Sequence, residues 1–183
     1  MNLLKTKIQG LYILSADVFA DQRGWFMESY SLKKFRELGI DINFIQDNYS
    51  YSKKRGVLRG LHFQTEPKAQ SKLVRCIKGR ILDIAVDLRK ESLTYKKHCK
   101  VLLSQKNKKQ LLIPKGFAHG FICLEDETEV YYKVDEYYFP EHEKSIFYND
   151  PELNIDWEIE NVILSNKDKN APLLKDLELD KSI

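Results

Sequence analysis

Cysteine is scarce in this 183-residue chain. There are three, Cys76, Cys99 and Cys123, an odd number with no CxxC pair. That excludes a disulfide-stapled scaffold and a thiolate zinc site, and it fits a reducing compartment. Glycine (8) and proline (5) are too few for collagen-like or low-complexity classes. No apolar run approaches the ~20 residues of a membrane span. Met1 to Gly10 also lacks the apolar stretch of a signal peptide. The expectation is a soluble, cytoplasmic protein with no membrane partner. An excess of one charge is missing as well: 30 Lys and Arg face 27 Asp and Glu, a net +3. That balance excludes a dedicated nucleic-acid surface but leaves room for a local basic pocket that holds an anionic small molecule.

Core material is plentiful, with 43% hydrophobic residues and 10 Tyr, 9 Phe and 2 Trp. A chain of this length can bury ~70% of its unfolded surface in one domain. A single domain over residues 1–183 is therefore expected, with a charged tail from Lys175 to Ile183 that frays. Periodicity points mainly to strands. Leu82, Ile84, Val86 and Leu88 alternate with Asp83, Ala85 and Asp87, giving one apolar face. Lys72 to Ile77 reads as the preceding strand, joined through a tight turn at Lys78-Gly79. Further strands are expected over Gly10–Ser15, Phe44–Ser50, Val57–His62, Lys100–Ser104, Gln110–Ile113, Gly120–Leu124 and Thr128–Val134. Many short strands favour a sandwich or barrel. One early helix is predicted, capped by Ser31, with Leu32, Phe35 and Leu38 on one face and Gly39 closing it. Pro140, Pro151 and Pro172 punctuate a less regular C-terminal region with short helical turns. The lysine-rich stretches 53–55, 96–97 and 106–109 read as solvated loops.

Histidine is rare, so each of the four is informative. His62 lies in Val57-Leu58-Arg59-Gly60-Leu61-His62-Phe63-Gln64. Simple alternation puts Leu58, Gly60 and His62 on one face and Arg59 and Leu61 on the other, unless the strand bends at Gly60. His119 follows the turn Pro114-Lys115-Gly116 and starts a strand. Taken singly, each is more often a hydrogen-bonded packing residue. His98 and His142 sit among charges and read as surface residues. Asp83 either orients His119 or faces solvent. Tyr131 and Tyr132 are neighbours on a strand, so one should enter the interior and the other point away.

The PxGxxH spacing of Pro114, Gly116 and His119 resembles the second motif of the cupin superfamily. The first metal-binding motif of cupins is incomplete here, because Phe63-Gln64 follows His62 where a second His would stand. Two His alone make a poor metal site. The wider match is more specific. Asp21 to Glu28 (DQRGWFME), Gln46-Asp47-Asn48, Leu58 to Gln64 (LRGLHFQ), Gln70 to Arg75 (QSKLVR), Asp83 to Arg89 (DIAVDLR), Ile113 to Phe121 (IPKGFAHGF), Tyr132-Lys133 and Leu164 to Asp168 (LSNKD) occur in order. Together they resemble the dTDP-4-dehydrorhamnose 3,5-epimerase family across residues 5 to 175.

That resemblance implies an all-β cupin-type jelly roll with a few short helices, acting as a homodimer on a dTDP-linked 4-keto-6-deoxy sugar. It implies catalytic roles for His62 (base), Asp168 (its partner), Lys72 (enolate stabiliser) and Tyr132 (acid). It implies substrate contacts at Arg23, Glu28, Gln46, Asn48, Arg59, His119, Tyr138, Glu143 and Lys167, with no metal and no organic cofactor. The chemistry suits these residue types. A ketone at C4 acidifies C3–H and C5–H, imidazole is a base near neutral pH, and guanidinium groups grip phosphate. Glu136, Glu141 and Tyr137 compete with Glu143 and Tyr138 for their assignments. The residues alone leave open a 3-only epimerase, a metal-dependent cupin and a non-catalytic sugar-binding module.

Overall fold

A computed structural model describes residues 1–177. Two antiparallel sheets face each other. The first has six strands in the order β1 (Asn2–Lys5), β2 (Tyr12–Ser15), β10 (Lys109–Ile113), β7 (Lys72–Lys78), β12 (Thr128–Val134), β5 (Gln46–Ser52). The second has five: β13 (Glu143–Ser145), β6 (Leu58–Gln64), β11 (Phe117–Cys123), β8 (Arg80–Asp87), β9 (His98–Ser104). A separate hairpin pairs β3 (Val18–Asp21) with β4 (Gly24–Met27). Helix α1 (Leu32–Glu37) and helix α2 (Asn166–Lys169) are short. This is the expected jelly roll with a helical fringe. The hairpin and the strands β1 and β13 lie outside the sequence expectation. The frayed tail falls mostly outside the described residues, though Leu174–Asp176 form a 3-10 turn.

Three apolar clusters hold the layers together. Between the sheets, Val74, Cys76 and Val130 of the first meet Ile81, Ala85, Val101, Phe121 and Cys123 of the second. Outside the first sheet, Phe35 of α1 packs with Leu14, Leu73 and Leu112. Ser31 caps this helix through the Lys34 amide, and Gly39 closes it at φ +79°, as read from the sequence. Outside the second sheet, Leu58, Leu61, Leu82, Ile84 and Val86 are covered by Ile146, Leu153, Ile155, Trp157 and Leu174 of the C-terminal segment. The apolar stripe of β8 therefore lies under that segment. Its other face, with Asp83, Ala85 and Asp87, points between the sheets, and residues 81–87 are all buried.

One local irregularity decides what β6 presents. Pairing with β11 runs His62↔His119 and then Arg59↔Phe121, with a register shift between. Arg59 and His62, three residues apart, thus share the inner face, while Leu58 and Leu61 pack outside. Simple alternation is wrong here, and the bend at Gly60 is the reason. Gly60 has φ +129°, and a Cβ on it would lie 2.5 Å from Gly120 Cα and 2.8 Å from His119 O. Neither strand can yield without breaking the ladder. Gly60→Ala should cost about 2–5 kcal/mol by adding backbone strain to overpacking. Urea denaturation of the variant beside the parent measures this, and an unchanged midpoint would contradict the close approach.

Candidate functional site

The two sheets enclose adjoining chambers of about 430 Å³ and 360 Å³ that share His62, Lys72 and Tyr132 as common walls. Arg59, His119, Asp168, Ser165 and Phe121 line the larger. Gln46, Asn48, Gln64, Gln70, Tyr138 and Glu143 line the smaller. Strand register explains the grouping. Lys72, Val74 and Cys76 alternate inward on β7, so one polar position opens a file that is otherwise apolar. Tyr132 lies opposite Val74 on one side and Asn48 on the other. His62 and His119 are cross-strand partners on the facing sheet. The first sheet thus supplies an amine and a phenol, the second a pair of imidazoles.

Each of those imidazoles is held by a carboxylate. His62 Nε2 donates to Asp168 Oδ1 at 2.5 Å. This fixes the Nε2–H tautomer and leaves Nδ1 as the basic nitrogen. Asp168 comes from α2, 106 positions along the chain, and its side chain is 4% exposed. Ser165 caps that turn by accepting from the Asp168 amide at 3.1 Å. Burial by itself would raise the Asp168 carboxyl, but the hydrogen bond and charge of His62 outweigh it and hold the group below the ordinary carboxylate range. His119 Nε2 donates to Asp83 Oδ1 at 2.9 Å. Asp83 is fully buried and orients His119 instead of facing solvent. Its second oxygen, Oδ2, has no hydrogen-bond partner among the described residues.

Burial also dominates the amine and the phenol. Lys72 is desolvated, which lowers it from 10.5 to about 8, and the carboxylates of Glu143 and Asp83 only partly offset this. Desolvation raises the Tyr132 hydroxyl, opposed by the Arg59 guanidinium. Tyr132 therefore keeps its proton at neutral pH and is available as a donor. Arg59 is steered by hydrogen bonds to Tyr51 O at 3.1 Å and Ser52 Oγ at 3.4 Å. In the smaller chamber, Glu143 accepts from Tyr138 Oη at 2.7 Å and pairs with Lys167 Nζ at 2.5 Å. Burial pushes Glu143 up, yet those two partners leave it below its ordinary value. Gln46 Nε2 donates to Asn48 Oδ1 at 2.9 Å.

The sequence candidates fall into two groups. His62, Lys72, Tyr132, Asp168, Arg59, His119, Gln46, Asn48, Tyr138 and Glu143 line the chambers, and Lys167 joins them through Glu143. Arg23 and Glu28 do not. Arg23 sits on the turn of the β3–β4 hairpin, folded onto Asp21 at 2.5 Å, and Glu28 pairs with Lys34 at 2.9 Å. Of the competing residues, Glu136 pairs with Lys68, and Tyr137 is exposed. Tyr131 lies beside the Asp47–Lys133 ion pair, away from the chambers. Sequence reasoning missed Ser165, although its S-x-x-D spacing before Asp168 spells a helix cap. It also missed Gln64 and Gln70, whose side chains brace the 136–139 segment beneath Tyr138. Among the described residues, no three His, Cys, Asp or Glu side chains gather as a metal site.

Comparison with known proteins identifies a family. The profile of the dTDP-4-dehydrorhamnose 3,5-epimerase family matches residues 5–176. A dTDP-4-dehydrorhamnose 3,5-epimerase of Shigella flexneri is 51% identical over 172 residues, covering 93% of this chain and 94% of the relative. The Bacillus anthracis dTDP-4-dehydrorhamnose 3,5-epimerase, solved with TDP and PPi bound, superposes with a TM-score of 0.93. It is 48% identical, with 94% of this chain and 99% of that one covered. The Legionella pneumophila dTDP-6-deoxy-D-glucose-3,5-epimerase, solved with dTDP-4-keto-L-rhamnose, gives a TM-score of 0.94 at 45% identity over 99% and 96% of the two chains. With the profile spanning almost the whole length and the paired imidazoles, amine and phenol grouped in one cavity, the chain belongs to the dTDP-4-dehydrorhamnose 3,5-epimerase family.

Proposed function

We propose that this protein epimerises C3 and C5 of dTDP-4-dehydro-6-deoxy-D-glucose, giving dTDP-4-dehydro-L-rhamnose. The observation that carries the reading is the placement of His62, held by Asp168 of α2, on one sheet and of Tyr132 on the facing one, with Lys72 on the strand beside Tyr132. A hydrogen next to the C4 ketone is acidic because the carbanion delocalises onto the ketone oxygen. His62 Nδ1 takes that proton, and Asp168 stabilises the resulting imidazolium. The electron pair moves to O4, where the Lys72 ammonium meets the developing negative charge. The Tyr132 hydroxyl then returns a proton to the opposite side of the carbon, inverting it. Exchange with solvent resets both groups. The ketone of the substrate is the electron sink.

Binding roles follow from charge and position. Arg59 suits a diphosphate oxygen, and Tyr138 offers an aromatic face to the nucleobase. Gln46, Asn48, His119, Glu143 and Lys167 supply polar contacts around the sugar and base. Arg23 and Glu28 lie outside the chambers of their own chain, so we assign them to the site of a second copy. The hairpin that carries Arg23 exposes Val18, Phe19, Trp25 and Phe26, an apolar patch of the kind a subunit interface covers. The working form is therefore a homodimer, and the compartment is the cytoplasm. Phe26→Glu should shift the protein to monomer in sedimentation equilibrium, with the monomer poorly active. A fully active monomer would contradict the shared site.

His62→Ala should lower kcat by about 10³-fold or more while substrate binding persists, within the usual range for losing a positioned base. Turnover in deuterium oxide should place deuterium at both C3 and C5, read by product NMR. Label at C3 alone would identify a 3-only epimerase. Lys72 gives a pH test. Its ammonium is lost above about 8, so kcat/KM should fall there. Its depressed value also costs folding stability while the group is charged. That cost is fully present below about 8 and relieved as pH rises toward 10.5. Lys72→Met should therefore be inactive yet more resistant to urea at pH 7, with the advantage shrinking above pH 8.

A further inference from the structure

The carboxylate that holds His62 is itself on a segment with little internal structure. Helix α2 has four residues, Asn166–Lys169, too few to hold its own shape. Its position is set at the two ends of the strap that carries it. Upstream, Ile163 is stitched to the start of β6: its amide donates to Gly56 O at 2.8 Å, and its carbonyl accepts from Leu58 N at 3.0 Å. Downstream, Pro172 O accepts from Phe147 N at 2.8 Å, and the Leu174 amide donates to Asp150 Oδ2 at 2.7 Å.

Asp150 is a side chain with two jobs. It is 2% exposed, and its Oδ1 accepts from the amides of Glu152 at 2.8 Å and Leu153 at 3.1 Å. Oδ1 therefore closes the local turn, and Oδ2 reaches across to the strap. The side chain lies outside both chambers and touches no reacting group. Only a carboxylate satisfies both sets of donors. An amide in its place must turn its NH₂ toward one of them, leaving two donors facing each other.

We propose that Asp150 is a positioning residue for epimerisation: by latching Leu174 it fixes the strap, and so keeps Asp168 on His62 Nε2. The inference rests on the assignment of His62 as base and Asp168 as its partner. An imidazole that loses this acceptor samples both tautomers, the fraction with the proton on Nδ1 cannot act as base, and the imidazolium formed by the rest is less stabilised.

The test uses the full-length chain with Asp150→Asn and Asp150→Ser. Serine keeps an acceptor for the local turn but is too short to reach Leu174, so it retains the fold if asparagine does not. Imidazole ¹⁵N spectra of the folded protein report the His62 tautomer without substrate. The parent should show one tautomer, with the proton on Nε2. The variants should show a mixture, like that of Asp168→Ala. Turnover should fall on the order of tenfold in kcat, with a smaller rise in KM, since Lys167 is the one assigned binding group that rides on the strap. Amide exchange should quicken over residues 166–174 and stay parental in β7 and β12. A folded variant with the parental tautomer and parental kcat would overturn the proposal. If the parent itself fails to epimerise while the tautomer still shifts, the assigned reaction fails and the latch stands.

Discussion

The close approach of β6 and β11 at Gly60 and Gly120 is the constraint on which the rest depends. A Cβ on Gly120 would lie 2.9 Å from Arg59 O and 3.2 Å from Gly60 Cα, so the crowding is mutual. Because the backbones meet there, the register slips by one step, and Arg59 and His62 turn to the same side. An unbroken strand would have sent one of them into the outer apolar cluster with Leu58 and Leu61. A guanidinium there would have lacked partners, and an imidazole there could not have reached the interior. The slip converts a stretch that reads as ordinary alternation into a bidentate presentation of cation and base.

A second theme is the cost of putting charge between two sheets. Lys72, Asp83 and Asp87 all occupy positions where a β sandwich ordinarily places aliphatic residues. Asp87 shows the structural solution: its two oxygens take Arg89, Ser92 and Thr94, and the carboxyl sits below its ordinary range despite burial. Asp83 and Lys72 show another. Asp83 satisfies one oxygen with His119, while its other oxygen has no hydrogen-bond partner among the described residues, and Lys72 is drawn by the charges of Glu143 and Asp83. Lys72 lines both chambers, and Asp83 reaches the larger one through His119.

Much of this was legible in the residues. The β8 pattern, the turn at Lys78-Gly79 and the Ser31 cap all appear where local chemistry placed them. The family resemblance, not the residues taken singly, brought out His62, Lys72, Tyr132 and Asp168 as a set, and all four line one cavity. What local pattern could not give was the sense of burial. In β8 the aspartate face points inward, because the aliphatic face is claimed by residues 146–174, far away in sequence. The Arg59–His62 grouping escaped for the same kind of reason: it depends on Gly120, a partner sixty positions on. Arg23 and Glu28 were read as site residues, yet within one chain Arg23 stays on the hairpin turn and Glu28, just past the hairpin, pairs with Lys34.

The strap that bears Asp168 also has a bearing on synthesis. The two sheets are complete once Ser145 is in place, but the residues that follow do double duty. They bring the carboxylate to His62, and they roof Leu82, Ile84 and Val86. A nascent chain that has not yet made this region therefore lacks the partner of His62 and leaves that apolar face bare. Chaperones and proteases that survey exposed greasy surface would find such a chain by the same omission that leaves His62 without its carboxylate, so concealment of the face and delivery of that carboxylate are one event.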